Sequence, residues 1–83
     1  MRTTRYFGEQ VLRKRPYLKR EWIEQTIAEP IAREVQDDGR IRLFTRVELE
    51  EPNNAYILRV VVLEDGETVH NAFFDRDYGK AER

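Results

Sequence analysis

Eighty-three residues, 40% of them hydrophobic and 37% charged, describe a small globular protein with a heavily charged exterior. A chain this short buries about 60–65% of its unfolded surface, enough for one core, so one domain over residues 1–83 is expected. The lack of cysteine excludes disulfides and thiolate metal sites, and no apolar run approaches the ~20 residues that span a bilayer. A reducing cytoplasm is therefore the expected compartment and no membrane partner is expected; Met1-Arg2-Thr3-Thr4-Arg5 leads into no apolar signal region.

The net charge is −1, but the signs are unevenly placed. Residues 1–20 hold Arg2, Arg5, Arg13, Lys14, Arg15, Lys19 and Arg20 against Glu9, whereas residues 48–67 hold Glu48, Glu50, Glu51, Glu64, Asp65 and Glu67 against Arg59. A basic N-terminal third suits a phosphate-bearing ligand or an acidic partner, and equally a solvated helix face.

In chain order, Tyr6 to Arg15 reads as a helix, with Phe7, Val11 and Leu12 at helical spacing and Pro16 ending it. Lys19 to Glu29 reads as a second helix, its Trp22, Ile23, Thr26 and Ile27 stripe turned to a sheet and Glu29-Pro30 its stop. From Ile31 the period becomes two, and three turn signals separate strands near 31–36, 40–49, 55–63 and 68–75. The first loop is expected to have three residues with Gly39 left-handed, which opposes Val35 to Ile41 and Arg33 to Leu43. The second, Glu50 through Ala55, is longer and less determined. Asp65-Gly66 predicts a two-residue type I′ turn flanked by Glu64 and Glu67. The expected fold class is thus α+β: two N-terminal helices packed on a four-stranded antiparallel meander.

That last turn would pair Val62 with Val69, Val61 with His70, Arg59 with Ala72 and Leu58 with Phe73. Matching apolar faces across the preceding strand would pair Leu43 with Val62 and Val47 with Leu58, which sets Arg46 opposite Arg59 and Phe44 opposite Val61. One face would then carry Arg42, Arg46, Arg59 and His70, the single histidine, on a floor of Phe44, Val61 and Phe74. Two directly opposed arginines destabilise a sheet by a few tenths of a kcal/mol up to about 1, unless an anion lies between them.

Lys14-Arg15-Pro16-Tyr17, Glu21-Trp22-Ile23, Glu29-Pro30, the run Gln36 to Arg42 and above all Glu64 to Asp75 resemble a widespread prokaryotic family of small toxin-like proteins (the DUF4258-like group). The resemblance covers most of the chain. More distantly, the element order is similar to that of the RelE and BrnT toxin superfamily. The resemblance implies the toxin component of a two-gene pair, a metal-independent endoribonuclease silenced by a small antitoxin-like protein. By position it carries basic roles onto His70, Arg59, Arg46 and Arg42. Toxins of this kind are usually strongly basic, which this chain is not.

Cleavage of that type needs a proton acceptor for the 2′-hydroxyl, positive charge at the phosphorane and a proton donor for the leaving oxygen. A histidine near its reference pKa of ~6.5 serves either proton transfer, and arginines supply the charge. His70 with Arg42, Arg46 and Arg59 is the candidate catalytic set; Lys14, Arg15, Lys19, Arg20 and Phe44 are candidates for holding RNA or the partner. The plainer alternatives are a structural histidine, an acid-paired sheet face with Glu48 on Arg46, and a solvated helix junction. Tyr6, Tyr17 and Tyr78 suit base stacking or edge packing, and Asp75-Arg76-Asp77 suits a strand end. No Gly-rich loop, metal-ligand spacing or nucleophile motif points to a cofactor. The rival reading is a non-catalytic module that binds a small partner protein.

Overall fold

The computed structural model describes residues 1–48 and 55–78. Leu49, the second loop up to Asn54 and residues 79–83 lie outside them, and with these falls most of the stretch Asp77 to Arg83, whose polarity predicts fraying. A π-helical stretch, Phe7–Val11, runs into one α-helical turn (α1, Leu12–Lys14), followed by α2 (Arg20–Ala28) and strands β1 (Ala32–Val35), β2 (Ile41–Glu48), β3 (Ala55–Val62) and β4 (Val69–Phe74). The strands form an antiparallel sheet in the order β1-β2-β3-β4. The architecture is α+β, and both helix stops act where the prolines put them: Arg15 leaves the helical region before Pro16, and Glu29 does so before Pro30.

The first helical segment opens on Thr4, whose hydroxyl accepts the Phe7 N–H at 3.1 Å as an N-cap does. Its ladder widens where the Leu12 N–H reaches Phe7 O five residues back, and Phe7 and Val11 are both buried. One buried cluster joins Phe7, Val11, Leu18 and Ile23 to Ile41, Leu43, Val47, Leu58, Val60, Val62, Val69 and Ala72, with Trp22, Ile27 and Phe74 packed against it. Burying a Leu, Ile, Val or Phe is worth about 1.5–3 kcal/mol, so this cluster is the main stabilising element.

The first hairpin has the expected three-residue loop. Gln36 closes it on Arg40 with an N–H···O bond of 2.7 Å, Gly39 takes φ +89°, and Val35 opposes Ile41. The other two registers differ from expectation in part: Leu63–Thr68 and Val62–Val69 pair as the turn implies, and the rest do not. Leu63 pairs with Thr68 and the Gly66 N–H returns to Leu63 O, so the third loop has four residues, 64–67, and not two. Asp65 holds it, accepting the N–H groups of Glu67 and Thr68 at 2.9 Å each and the Thr68 hydroxyl at 2.5 Å. These three donors lower the exposed Asp65 carboxyl to about 2.

Val62 opposes Val69 as expected, but Val61 then opposes Asn71, so His70 is the extra residue of a β-bulge. Beyond it every pairing moves by one and the faces exchange: Ala72 opposes Val60, Phe73 opposes Arg59, and Phe74 opposes Leu58. The β2–β3 register is shifted by two from the expected one, with Leu43 opposite Val60, Phe44 opposite Arg59 and Arg46 opposite Ile57. A two-residue slip leaves every side chain on its face, so hydrophobic patterning is blind to it. The observed register removes the opposed Arg46–Arg59 pair and puts a ring across from Arg59. Residues 2–4 add a short parallel bridge to the free edge of β4, Thr4 N–H to Val69 O and Val69 N–H to Arg2 O at 2.9 Å each.

Candidate functional site

Three arginines expected to bind an anion on the outer face of the sheet are each engaged by a carboxylate. Arg42 lies across from Glu34 and within 3.5 Å of its carboxylate; with its amide oxygen turned inward, Gln36 also accepts from Arg42 Nε and Nη2 at 2.8 Å. Arg46 lies 3.8 Å from Glu48. Arg59 donates through Nη2 to Asp75 Oδ2, and its guanidinium sits 5.4 Å and 5.1 Å from the Phe44 and Phe73 ring centres. Burial alone would raise the Asp75 carboxyl. The Asp77 N–H, the Arg59 hydrogen bond and the Arg59 charge outweigh it and hold Asp75 below its ordinary range.

Phe44 is not a contact surface. It is 1% exposed, covered by Arg59 and by Tyr78, whose ring centre is 4.8 Å away. The Asp75-Arg76-Asp77 segment does more than end a strand: the Asp75 N–H bonds Ile57 O, its carboxylate caps the Asp77 N–H at 2.9 Å, and this turn packs the outer face closed. An Asp whose carboxylate can accept the N–H two residues on is a sequence signal for such a turn, but its ion pair with Arg59 is visible only in three dimensions.

His70 does not join these arginines. The bulge sets it beside the N-terminal segment, where its ring stacks on Tyr6 at 4.9 Å and Nδ1 meets Thr4 Oγ1 at 3.1 Å. That same hydroxyl accepts the Phe7 N–H, so one threonine side chain ties the start of the helix to the His70 ring. Burial lowers the His70 pKa below its ordinary value; Arg40 adds to the shift and Asp38 opposes it. The shift favours the neutral ring, and the charges that act on it are those of Arg40 and Asp38 rather than Arg42, Arg46 and Arg59.

The helix junction differs. Arg20 is tied to Glu24 at 2.5 Å, but among the described residues Arg13, Lys14, Arg15 and Lys19 have no carboxylate partner. Lys19 rests 5.2 Å from the Trp22 ring centre and Arg15 lies 5.8 Å from that of Phe73. Beside them opens a cleft of about 430 Å³ lined by Arg15, Tyr17, Tyr56, Phe73, Phe74 and Arg76. Of these, the sequence singled out Arg15 as a contact and Tyr17 as a stacking residue. Two stretches of the lining pair an arginine with a ring, at Arg15-Pro16-Tyr17 and at Phe73-Phe74-Asp75-Arg76, but only the fold brings them together with Tyr56 of β3.

No helix among the described residues is long and apolar enough to cross a membrane, and no group of His, Asp and Glu among them is arranged to hold a metal ion. Comparison with protein-family models, with curated proteins and with solved structures returned no significant match.

Proposed function

We propose that this chain is the toxin-like component of a two-gene pair, RelE/BrnT-like in fold, that engages RNA at its helix junction and is silenced by a small antitoxin-like protein. The observation that carries the reading is the division of charge. Among the described residues Arg13, Lys14, Arg15 and Lys19 have no carboxylate partner, and Arg15 lines an aromatic cleft, while Arg42, Arg46 and Arg59 are spent on Glu34, Glu48 and Asp75. Phosphate contacts dominate nucleic-acid affinity, and a cation already bonded to a carboxylate releases no counterion when a phosphate arrives.

The sheet-face set is a poor support for cleavage, since His70 has Thr4 and Tyr6 for company and no free guanidinium of that set beside it. The reading therefore commits to RNA engagement and makes cleavage an outcome to be measured. Fluorescence anisotropy of a labelled single-stranded RNA tests it. The wild type should bind with an affinity that falls steeply between about 50 and 200 mM salt, on the order of −0.7 per phosphate neutralised on logarithmic axes. Lys14→Glu with Lys19→Glu should abolish binding, whereas Arg42→Glu with Arg46→Glu should leave it.

The second reading, a non-catalytic module that binds a small partner, is favoured by the net charge of −1 and by the neutralised sheet face. It is preferred if no RNA binds at low salt while the product of an adjacent gene co-purifies with the chain.

A further inference from the structure

Phe74 holds three other rings in place at one end of the sheet. Tyr17 lies almost parallel to it, centres 5.9 Å apart and planes 14° from coincidence, while Tyr56 and Trp22 meet it at 5.4 Å and 6.0 Å. Trp22 belongs to the margin of the core, but Tyr17 and Tyr56 stay 54% and 37% exposed. A ring packed on one side and open on the other is a platform: its rotamer is already fixed, so a flat ligand gains contact area at little further entropic cost.

The platform is flanked by cations. Arg15 is steadied over Phe73 and Arg76 lines the same cleft, and neither has a carboxylate partner among the described residues. An apolar ring surface sharing a cleft with two guanidinium groups, each a fork of N–H donors to anions, asks for a ligand that carries a flat ring and phosphates. In a duplex the ring faces are consumed by stacking, so only a strand with unstacked bases can use the platform. An acidic peptide would use the arginines and leave the rings idle.

We infer that the cleft lined by Arg15, Tyr17, Tyr56, Phe73, Phe74 and Arg76 is a stacking subsite for an unstacked base of a single-stranded nucleic acid. Tyr17 and Tyr56 present the stacking surface, Phe74 holds them, and Arg15 and Arg76 meet the phosphates on either side of the base. The inference rests on the RNA reading above and deepens it by naming the residues that would take a base of the strand.

The test uses oligouridylate and oligoadenylate single strands and a duplex of mixed sequence, read by anisotropy and by the fluorescence of Trp22, the only tryptophan. Aromatic stacking is worth about 1–3 kcal/mol per base, so Tyr17→Ala with Tyr56→Ala should weaken single-strand binding about tenfold to a hundredfold. The same pair changed to Phe keeps the platform and should bind like the wild type, and Trp22 emission should change on binding in both. The duplex should bind weakly and with the same affinity to all three proteins. If the Ala pair binds single strands as the wild type does while Lys14→Glu with Lys19→Glu does not bind, the subsite is wrong and the RNA reading survives. If the Phe pair is as weak as the Ala pair, the contact is through the hydroxyls and the stacking claim falls. If no strand binds at low salt, or an acidic peptide occupies the cleft in its place, the subsite and the RNA reading fall together.

Discussion

Arg42, Arg46 and Arg59 on the outer sheet face each end on a carboxylate, whereas at the helix junction Arg15 and Lys19 lie over rings and, among the described residues, none of Arg13, Lys14, Arg15 and Lys19 meets a carboxylate. The difference follows from backbone geometry. In a sheet, direct and next-but-one neighbours share a face, so Glu34 falls across from Arg42 and Glu48 beside Arg46. At the junction the cations crowd one short stretch, and the helical i, i+4 spacing supplies a partner only where Glu24 follows Arg20. Arginines in a row are thus a poor guide to an anion site. What matters is whether the same geometry has already delivered a carboxylate.

The sharpest way to break this contrast is at the best-buried pair. Asp75→Ala would leave Arg59, with one quarter of its side chain exposed, without its partner. Losing one member of a buried pair costs about 3–5 kcal/mol; discounted for that exposure, about 2 kcal/mol is expected, or roughly 8–16 °C in Tm for a domain of this size. Thermal and urea unfolding measure it, and a change below about 0.5 kcal/mol would place this pair with ordinary surface pairs.

Next in size is the functional side of the contrast. Arg13→Glu with Lys14→Glu should weaken RNA binding at least about tenfold at ~0.1 M salt while moving stability by no more than ~0.5 kcal/mol. Equal binding by this variant and the wild type would mean that the free cations are only a solvated face.

A pH series separates His70 from the carboxylates. The folded state depresses the His70 pKa below 6.5, so the unfolded chain takes up its proton first; the stability due to neutral His70 is complete above about pH 6.5 and declines as the pH falls below it. Asp75 and Asp65 are depressed in the folded state, so their contribution is complete above about 3.8 and is lost only as the pH falls through their lower folded values. Urea unfolding at successive pH values should show two separate declines, and His70→Gln should remove the upper one alone. A wild-type profile flat from pH 7 to 5 would contradict the half-buried setting of His70.

The smallest effect is expected at Arg46→Ala. Its pair with Glu48 is long and exposed, so stability should change by less than ~0.5 kcal/mol and RNA binding not at all.

Local rules carried far in this chain because short-range sterics decide them. Pro16 and Pro30 stop helices whatever else surrounds them, alternation assigns β2 and β3 side chains to faces, and Gly39 supplies the positive φ that a three-residue hairpin loop needs. What local rules could not reach were three decisions made by packing. A slip of two between β2 and β3 costs no change of face, so only the whole sheet selects it. The bulge at His70 has no marker in alternation, yet it swaps Phe73 and Phe74 between faces and takes the histidine away from the arginines. The third is the cleft, assembled from residues 15–17, Tyr56 on β3 and residues 73–76, which meet only when the helix junction reaches the end of the sheet. The sequence by itself determined which residues are helical, extended or turning and which face most of them occupy. Only the tertiary structure decided which charges are cancelled and which are left free, because that depends on distances between segments that no local periodicity records.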